Sequence, residues 1–186
     1  IKRERREALE NGITVHWLSG SDLTEDVWDA FFEFYMDTGS RKWGRPYLTR
    51  EFYSLIGKLM PDKVVLVMAK RAGKWIAGAI NFIGSDTLFG RHWGCVEQHP
   101  FLHFEICYYQ AIDYAIAHKL KRVEAGAQGE HKMARGLLPV NSVWLFGQGA
   151  LLEGGRKVGA VHQLPAAHVQ AARAAHHQIA PDAGGL

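Results

Sequence analysis

Val64 to Cys95 reads VVLVMAKRAGKWIAGAINFIGSDTLFGRHWGC. Val64–Ala69 is a short apolar run, and Trp75–Ile83 and Thr87–Cys95 are further strand-like runs. Ala72-Gly73 and Gly84-Ser85-Asp86 separate them. Two tight turns between short strand-like runs predict an antiparallel three-strand meander. Upstream of it the period becomes helical. Phe52, Leu55, Ile56, Leu59 and Met60 recur at helical spacing, with Thr49 as a cap and Pro61 as a stop. Val27, Trp28, Phe31, Phe34 and Tyr35 make an earlier apolar helix face, with Asp22 and Glu25 as its capping box. Gly39–Tyr47 reads as a basic loop. Residues 1–10 read as a helix end, stopped by Asn11-Gly12, and Ile13–Leu18 as a first strand.

Downstream, Pro100 opens a helix to about Leu120, with Phe101, Phe104, Tyr108, Ile112 and Ala115 on one face. A strand at Arg122–Ala125 and a loop at Gly126–Lys132 follow. Strand, two helices, meander, helix and strand exclude a doubly wound parallel sheet. They predict an α/β (α+β) fold with a mixed, mostly antiparallel sheet flanked by helices.

A length of 186 residues suits one domain with a sizeable core, and 47% hydrophobic against 22% charged residues excludes a disordered chain. A formal charge of +3 allows an anionic substrate, but no dense Lys/Arg face argues for nucleic acid. Cys95 and Cys107 give no disulfide framework, which points to a cytoplasmic location. No apolar run reaches the roughly 18 residues of a membrane span. The chain opens at Ile1 in helical sequence without a Met, which reads as a fragment. Residues 142–186 differ from the rest. They are rich in Ala, Gly and His, and Pro165–Ile179 reads as an Ala-rich helix with a thin apolar stripe.

Four blocks carry a family resemblance. They are Thr38–Leu48, Gly90–Cys95, His103–Gln110 and Glu124–Gly136. Over roughly residues 10–140 the chain resembles the FemAB-like group of the GNAT acyltransferase superfamily, associated with peptidoglycan biosynthesis or recognition. The resemblance implies a GNAT-like domain over residues 1–141, the C-terminal half of a two-domain protein whose N-terminal GNAT-like domain is missing. It implies N-acyl or aminoacyl transfer to an amine on a small-molecule or peptide acceptor, such as a peptidoglycan-type precursor. The donor is an acyl-CoA or an aminoacyl-tRNA, with tRNA a partner only in that role, and no cofactor is bound tightly. The alternative is a non-catalytic recognition module of the same fold. After Pro139 the sequence departs from the family pattern, and a shifted reading frame of GC-rich coding sequence would produce such an aberrant tail.

The loop after the last strand is the first candidate site. Gly126 and Gly129 let a substrate approach the backbone, Gln128 offers an amide, Glu130 and His131 are acid–base candidates, and Lys132 is a cation. Lys132 and Gly136 resemble the Lys-x-x-x-Gly pattern of Fem-type aminoacyl transferases, and Arg135 is a further anion contact. The bland reading is a polar surface loop. Glu105, early in its helix, is the second candidate base, with Tyr108 and Tyr109 at i+3 and i+4; a structural carboxylate is its rival. Arg91 and Trp93 alternate onto one strand face, with His92 on the other. They suit an anionic or aromatic ligand, or core packing with a snorkelling Arg. Arg41-Lys42-Trp43-Gly44-Arg45 suits a phosphate-bearing donor or a solvated loop. Cys95, His99, His103 and Cys107 recur every four residues, but Pro100 keeps them off one helix face, so no metal is expected. The acyl-CoA-using relatives resembled here carry a glycine-rich phosphate cradle where this chain has Val96-Glu97-Gln98-His99-Pro100-Phe101, without glycine.

Overall fold

A computed structural model describes residues 1–43, 46–127, 130–142 and 157–163 of the protein. The apolar run Val64–Ala69 opens strand β2 (Val64–Arg71) and is buried on both faces. Val64, Leu66 and Met68 pack against one helical layer, and Val65, Val67 and Ala69 belong to the clusters on the other face. A strand covered on both sides needs no polar alternation, which is why this segment is uniformly apolar.

The first layer is α2 (Glu25–Trp43) and α3 (Arg50–Leu59). Trp28, Phe31, Phe34, Tyr35 and Tyr53 form its aromatic core against the sheet. The second layer is a short α4 (Leu102–Phe104), a π-helical turn (Glu105–Tyr109) and α5 (Gln110–Ala117). A short α1 (Lys2–Ala8) packs on the π turn. β1 (Thr14–Leu18), β2, β3 (Lys74–Ile83), β4 (Thr87–Cys95), β5 (Arg122–Ala127), β6 (Leu138–Ser142) and β7 (Lys157–Gln163) form one sheet in the order β1-β2-β3-β4-β5-β7-β6. All neighbours are antiparallel except β4 and β5. The mixed, mostly antiparallel sheet flanked by helices is the expected architecture. β6 and β7 take in residues on both sides of position 141. No helix among the described residues is long and apolar enough to cross a membrane.

Three local expectations are corrected. Asp22 sits in a 3-10 turn (Gly20–Asp22), and Thr24 accepts the first helical bond from Trp28, so Asp22 is not the cap of α2. The segment Gly39–Trp43 is not a loop but the last turn of α2. The side chains of Arg91 and His92 do not point to opposite faces, because the β3–β4 register slips between Ile80 and Asn81. Ile80 pairs with His92 and Asn81 with Gly90, leaving Arg91 as the extra residue of a β-bulge. The bulge brings Arg91 and His92 onto the α3 side, while Trp93 packs on the α4 side. Pro165–Ile179, Gly44, Arg45, Gln128 and Gly129 lie outside the described residues.

α2 crosses β4 closely at Gly94. A Cβ there would lie 2.1 Å from the Phe34 carbonyl oxygen, which is backbone and cannot swing away. Gly94→Ala is expected to lower stability by about 1–3 kcal/mol. The urea midpoint measures it, and an unchanged midpoint would show that the helix does not sit this close to the strand.

Candidate active site

β4 and β5 pair only at Thr87–Phe89 with Arg122–Glu124. Gly90 still lies against Glu124 and Ala125, but among the described residues no further β4–β5 ladder pair follows, which leaves a fork at the strand ends. A fork of this kind exposes backbone N–H groups in a sheltered position, where they can polarise a carbonyl.

An aromatic chain spans the fork on the helix side. Trp93 of β4 lies 5.0 Å from His103, ring centre to ring centre, and His103 lies 5.5 Å from Tyr108. Tyr108 is on the π turn, and its hydroxyl is 3.0 Å from His131 Nε2 in the 3-10 segment (Glu130–Arg135) that follows β5. Burial raises the Tyr108 pKa, so the phenol keeps its proton at neutral pH. His131 is exposed, and its pKa is lowered first by the partial burial of its ring and then by the charges of Lys132 and Arg135. A neutral imidazole beside a protonated phenol is a proton-transfer pair.

A cleft of about 390 Å³ opens at the end of β4, beside Trp93 and His103. Thr38 and Arg41 of α2 form one wall, and Leu102 and the segment Glu97–His99 another. Thr38 Oγ1 accepts from the Cys95 amide at 3.3 Å, which anchors the strand end to α2. Glu97 holds His99 Nε2 at 3.1 Å and Arg71 at 2.7 Å, and these contacts, His99's first, keep its carboxyl below the usual range.

The other expected residues are placed differently. The Glu105 carboxylate is fully buried, and it receives Arg5 Nε at 3.1 Å, Arg5 Nη2 at 2.9 Å and Gln110 Nε2 at 2.7 Å. The wider π turn brings the residue five positions on beneath Glu105, so Gln110 meets it rather than the two phenols. Tyr109 donates to Glu4 at 2.5 Å, and Arg135 pairs with Glu4 at 2.8 Å, donates to Tyr109 at 3.1 Å and lies 3.6 Å over the Phe104 ring. These residues tie α1 to the π turn and to the 3-10 segment. Lys132 is buried and its ammonium donates to the carbonyls of Ala125 at 2.7 Å and Gly126 at 3.0 Å, folding the 3-10 segment back onto β5. Gly126 and Gly136 have φ values of 73° and 80°, which glycine accepts without strain. Gln128 and Gly129 lie outside the described residues, as does the side chain of Glu130. Tyr108 and His131 are therefore in contact, and Trp93 is linked to them through His103. His103, Thr38 and the Glu97–His99 pair join the site without having been singled out for catalysis. In the sequence Thr38 and His103 were marked as the starts of two family-resemblance blocks, Glu97 and His99 as part of the glycine-free stretch, and His99 and His103 by their four-residue spacing.

Arg91 and His92 line a smaller cavity on the α3 side. Burial, and then the Arg91 charge, push the His92 pKa down to about 4. The unfolded chain binds a proton near pH 6.5 that folded His92 refuses. This contribution is complete above about pH 6.5 and is lost as the pH falls toward about 4. Denaturation across that range is expected to show falling stability, with a shallower slope in His92→Gln. Equal slopes would show that the ring is solvated.

A glycine-free turn follows β4. The Val96 and Glu97 amides both approach the Ile76 carbonyl, at 2.9 and 3.4 Å, and the Leu102 amide bonds His99 at 3.3 Å. With those amides engaged and no glycine to open the turn, the stretch does not fit a glycine-rich pyrophosphate cradle.

The FemAB-like family, described as peptidoglycan biosynthesis/recognition, has a model that matches residues 1–149. Among curated proteins, none matches. Among solved structures, an acyl-CoA N-acyltransferase from Pseudomonas aeruginosa is similar at 16% identity and a TM-score of 0.60, over 81% of this chain and 99% of that one. Escherichia coli ElaA is similar at 15% identity and a TM-score of 0.57, also over 81% and 99%. A GCN5-related N-acetyltransferase from Kribbella flavida is similar at 16% identity and a TM-score of 0.55, over 82% and 98%. At these identities the likeness is one of fold.

Proposed function

The chain belongs to the FemAB-like family of the GNAT fold, and on that premise we propose that it is an N-acyl or aminoacyl transferase that forms an amide on an amine acceptor. The observation that carries the reading is the end of the β4–β5 ladder at Phe89 and Glu124, with the Tyr108–His131 pair joining the segments that follow these two strands. The acyl carbonyl lies in the fork, polarised by β4 backbone N–H groups. The acceptor amine enters through the cleft beside Trp93 and His103. Nitrogen attacks the carbonyl carbon, the C–N bond forms, and the bond to the leaving group breaks. Tyr108 Oη takes the amine proton as its own passes to His131 Nε2, and the same relay returns a proton to the leaving group. Glu105 and Lys132 support the site from behind in this scheme, and Arg135 positions His131 by donating to its carbonyl at 2.9 Å.

The acceptor is a small molecule or peptide with a free amine, of the peptidoglycan-precursor type that the family description suggests. The engaged amides at Val96 and Glu97 favour a donor without a pyrophosphate grip, such as aminoacyl-tRNA, over acyl-CoA. The same observation favours a recognition module as the second reading. The test offers amine-bearing peptidoglycan-type peptides to the protein with CoA thioesters or aminoacyl-tRNA and weighs the products by mass spectrometry. A new amide is the expected result. Tight peptide binding with no amide from any donor would replace the transferase with the binder.

A further inference from the structure

We propose that Glu4 of α1 is a positioning residue for the transfer reaction, holding the segments that carry Tyr108 and His131 in one mutual geometry. The inference rests on the transferase reading of the fork. Tyr108 and His131 stand on different elements, the π turn and the 3-10 segment, and are joined by a hydrogen bond of 3.0 Å. His131 is exposed, so close packing does not by itself fix its ring. A proton relay needs its two groups held to within about 0.5 Å. Something outside the pair has to supply that hold.

Glu4 meets both segments. Its Oε2 accepts at 2.5 Å from the hydroxyl of Tyr109, the neighbour of Tyr108 on the π turn. Arg135 of the 3-10 segment donates from Nη2 to Glu4 Oε1 at 2.8 Å and to Oε2 at 3.0 Å, and from Nε to the Tyr109 hydroxyl at 3.1 Å. The three side chains close a ring of charge-assisted bonds in which each orients the other two. Their protonation agrees with these directions. The Tyr109 bond first, against the opposing effect of burial, and then Arg135 hold the Glu4 carboxyl below its usual range. Burial first, and then the bond to Glu4, raise the Tyr109 phenol.

From this ring the arginine reaches the relay by two routes. Its Nη1 donates to the His131 carbonyl at 2.9 Å, and its guanidinium lies 3.6 Å over the Phe104 ring. Phe104 is stacked with Tyr108 at 6.1 Å and lies 5.5 Å from His131, ring centre to ring centre. A planar guanidinium can serve the carbonyl, the phenol and the aromatic face together in one orientation, and the Glu4 carboxylate selects it. Glu4 itself contacts neither Tyr108 nor His131, so it acts through Arg135 and Tyr109.

The test compares Glu4→Ala, Glu4→Gln and Tyr109→Phe in the full chain. Turnover is followed with the peptide and donor that yield an amide. Nuclear Overhauser contacts from the His131 ring to the Phe104 and Tyr108 rings are recorded without either substrate. Glu4→Ala is expected to lower kcat by about 10–100-fold, to leave KM within about twofold, and to lose the ring contacts. Glu4→Gln keeps the shape of the ring, with its oxygen toward Arg135 and its N–H toward Tyr109. It is expected to keep the ring contacts and to stay within about fivefold of the wild-type kcat. Tyr109→Phe opens the ring without removing the packed aromatic body, and decides the matter if Glu4→Ala does not fold; a kcat lower by roughly three- to tenfold is expected. Ring contacts and kcat both intact in Glu4→Ala overturn the proposal, since Glu4 would then only anchor α1. So does a loss confined to KM. If the wild-type protein forms no amide, the transferase reading falls and the ring contacts alone decide. Their persistence in Glu4→Ala overturns the hold, and their loss there with recovery in Glu4→Gln supports it.

Discussion

Arg5→Ala is expected to destabilise the protein by about 3 kcal/mol, through a residue far in sequence from the helix it supports. Glu105 is fully buried, and its carboxylate is met by two nitrogens of Arg5 and by Gln110. Removing the guanidinium leaves a buried negative charge with one amide for company. The effect falls at the lower end for a buried pair because Arg5 is 33% exposed and water can enter when it is cut back. Arg5 also holds Asp113 at 2.6 Å, so the change frees α5 from α1 as well. Urea denaturation reads the loss directly. The double variant Arg5→Ala with Glu105→Gln is expected to recover much of it, since the stranded charge is gone. A loss below about 1 kcal/mol for Arg5→Ala would mean that the pair behaves as an exposed one.

His131→Ala and Tyr108→Phe should each lower kcat of the proposed amide-forming reaction by about 10²–10⁴-fold. The two groups are one relay at 3.0 Å, so the double variant should lose little more than either single one. Because burial, Lys132 and Arg135 lower the His131 pKa, the imidazole stays neutral below the ordinary histidine range. The acidic limb of the kcat profile should therefore lie below about pH 6.5 and vanish in His131→Ala. Single variants with undiminished turnover, or losses that multiply in the double variant, would remove this pair from the chemistry. Glu105→Gln separates the two halves of the account. If Glu105 is structural, it moves the urea midpoint and leaves the acidic limb where it was.

The meander from Val64 to Cys95 was legible because hairpin turns and strand period are local properties. The family resemblance was legible for another reason. Blocks such as Gly90–Cys95 and Glu124–Gly136 are long enough to identify a family without any knowledge of their contacts, and the family model indeed spans residues 1–149. Trp93, Tyr108 and His131 could be named as candidates by residue type. That they are linked, Trp93 through His103, could not be read, since β4, the π turn and the segment after β5 converge only in the folded chain.

Sequence alone determined the order of elements as far as β5, the apolar faces and the class of the sheet, since each follows from neighbours within a few residues, whereas β6 and β7 were not read. Tertiary structure decided which polar groups face substrate and which face one another. Glu105 and Arg5 pair across 100 positions, Glu4 and Arg135 across 131. A one-residue bulge turned Arg91 and His92 to the same side, and a π turn moved Glu105 away from its expected phenols. A slip of one residue in register or in helical turn changes a side chain's surroundings completely, and it depends on packing energies that no local pattern records.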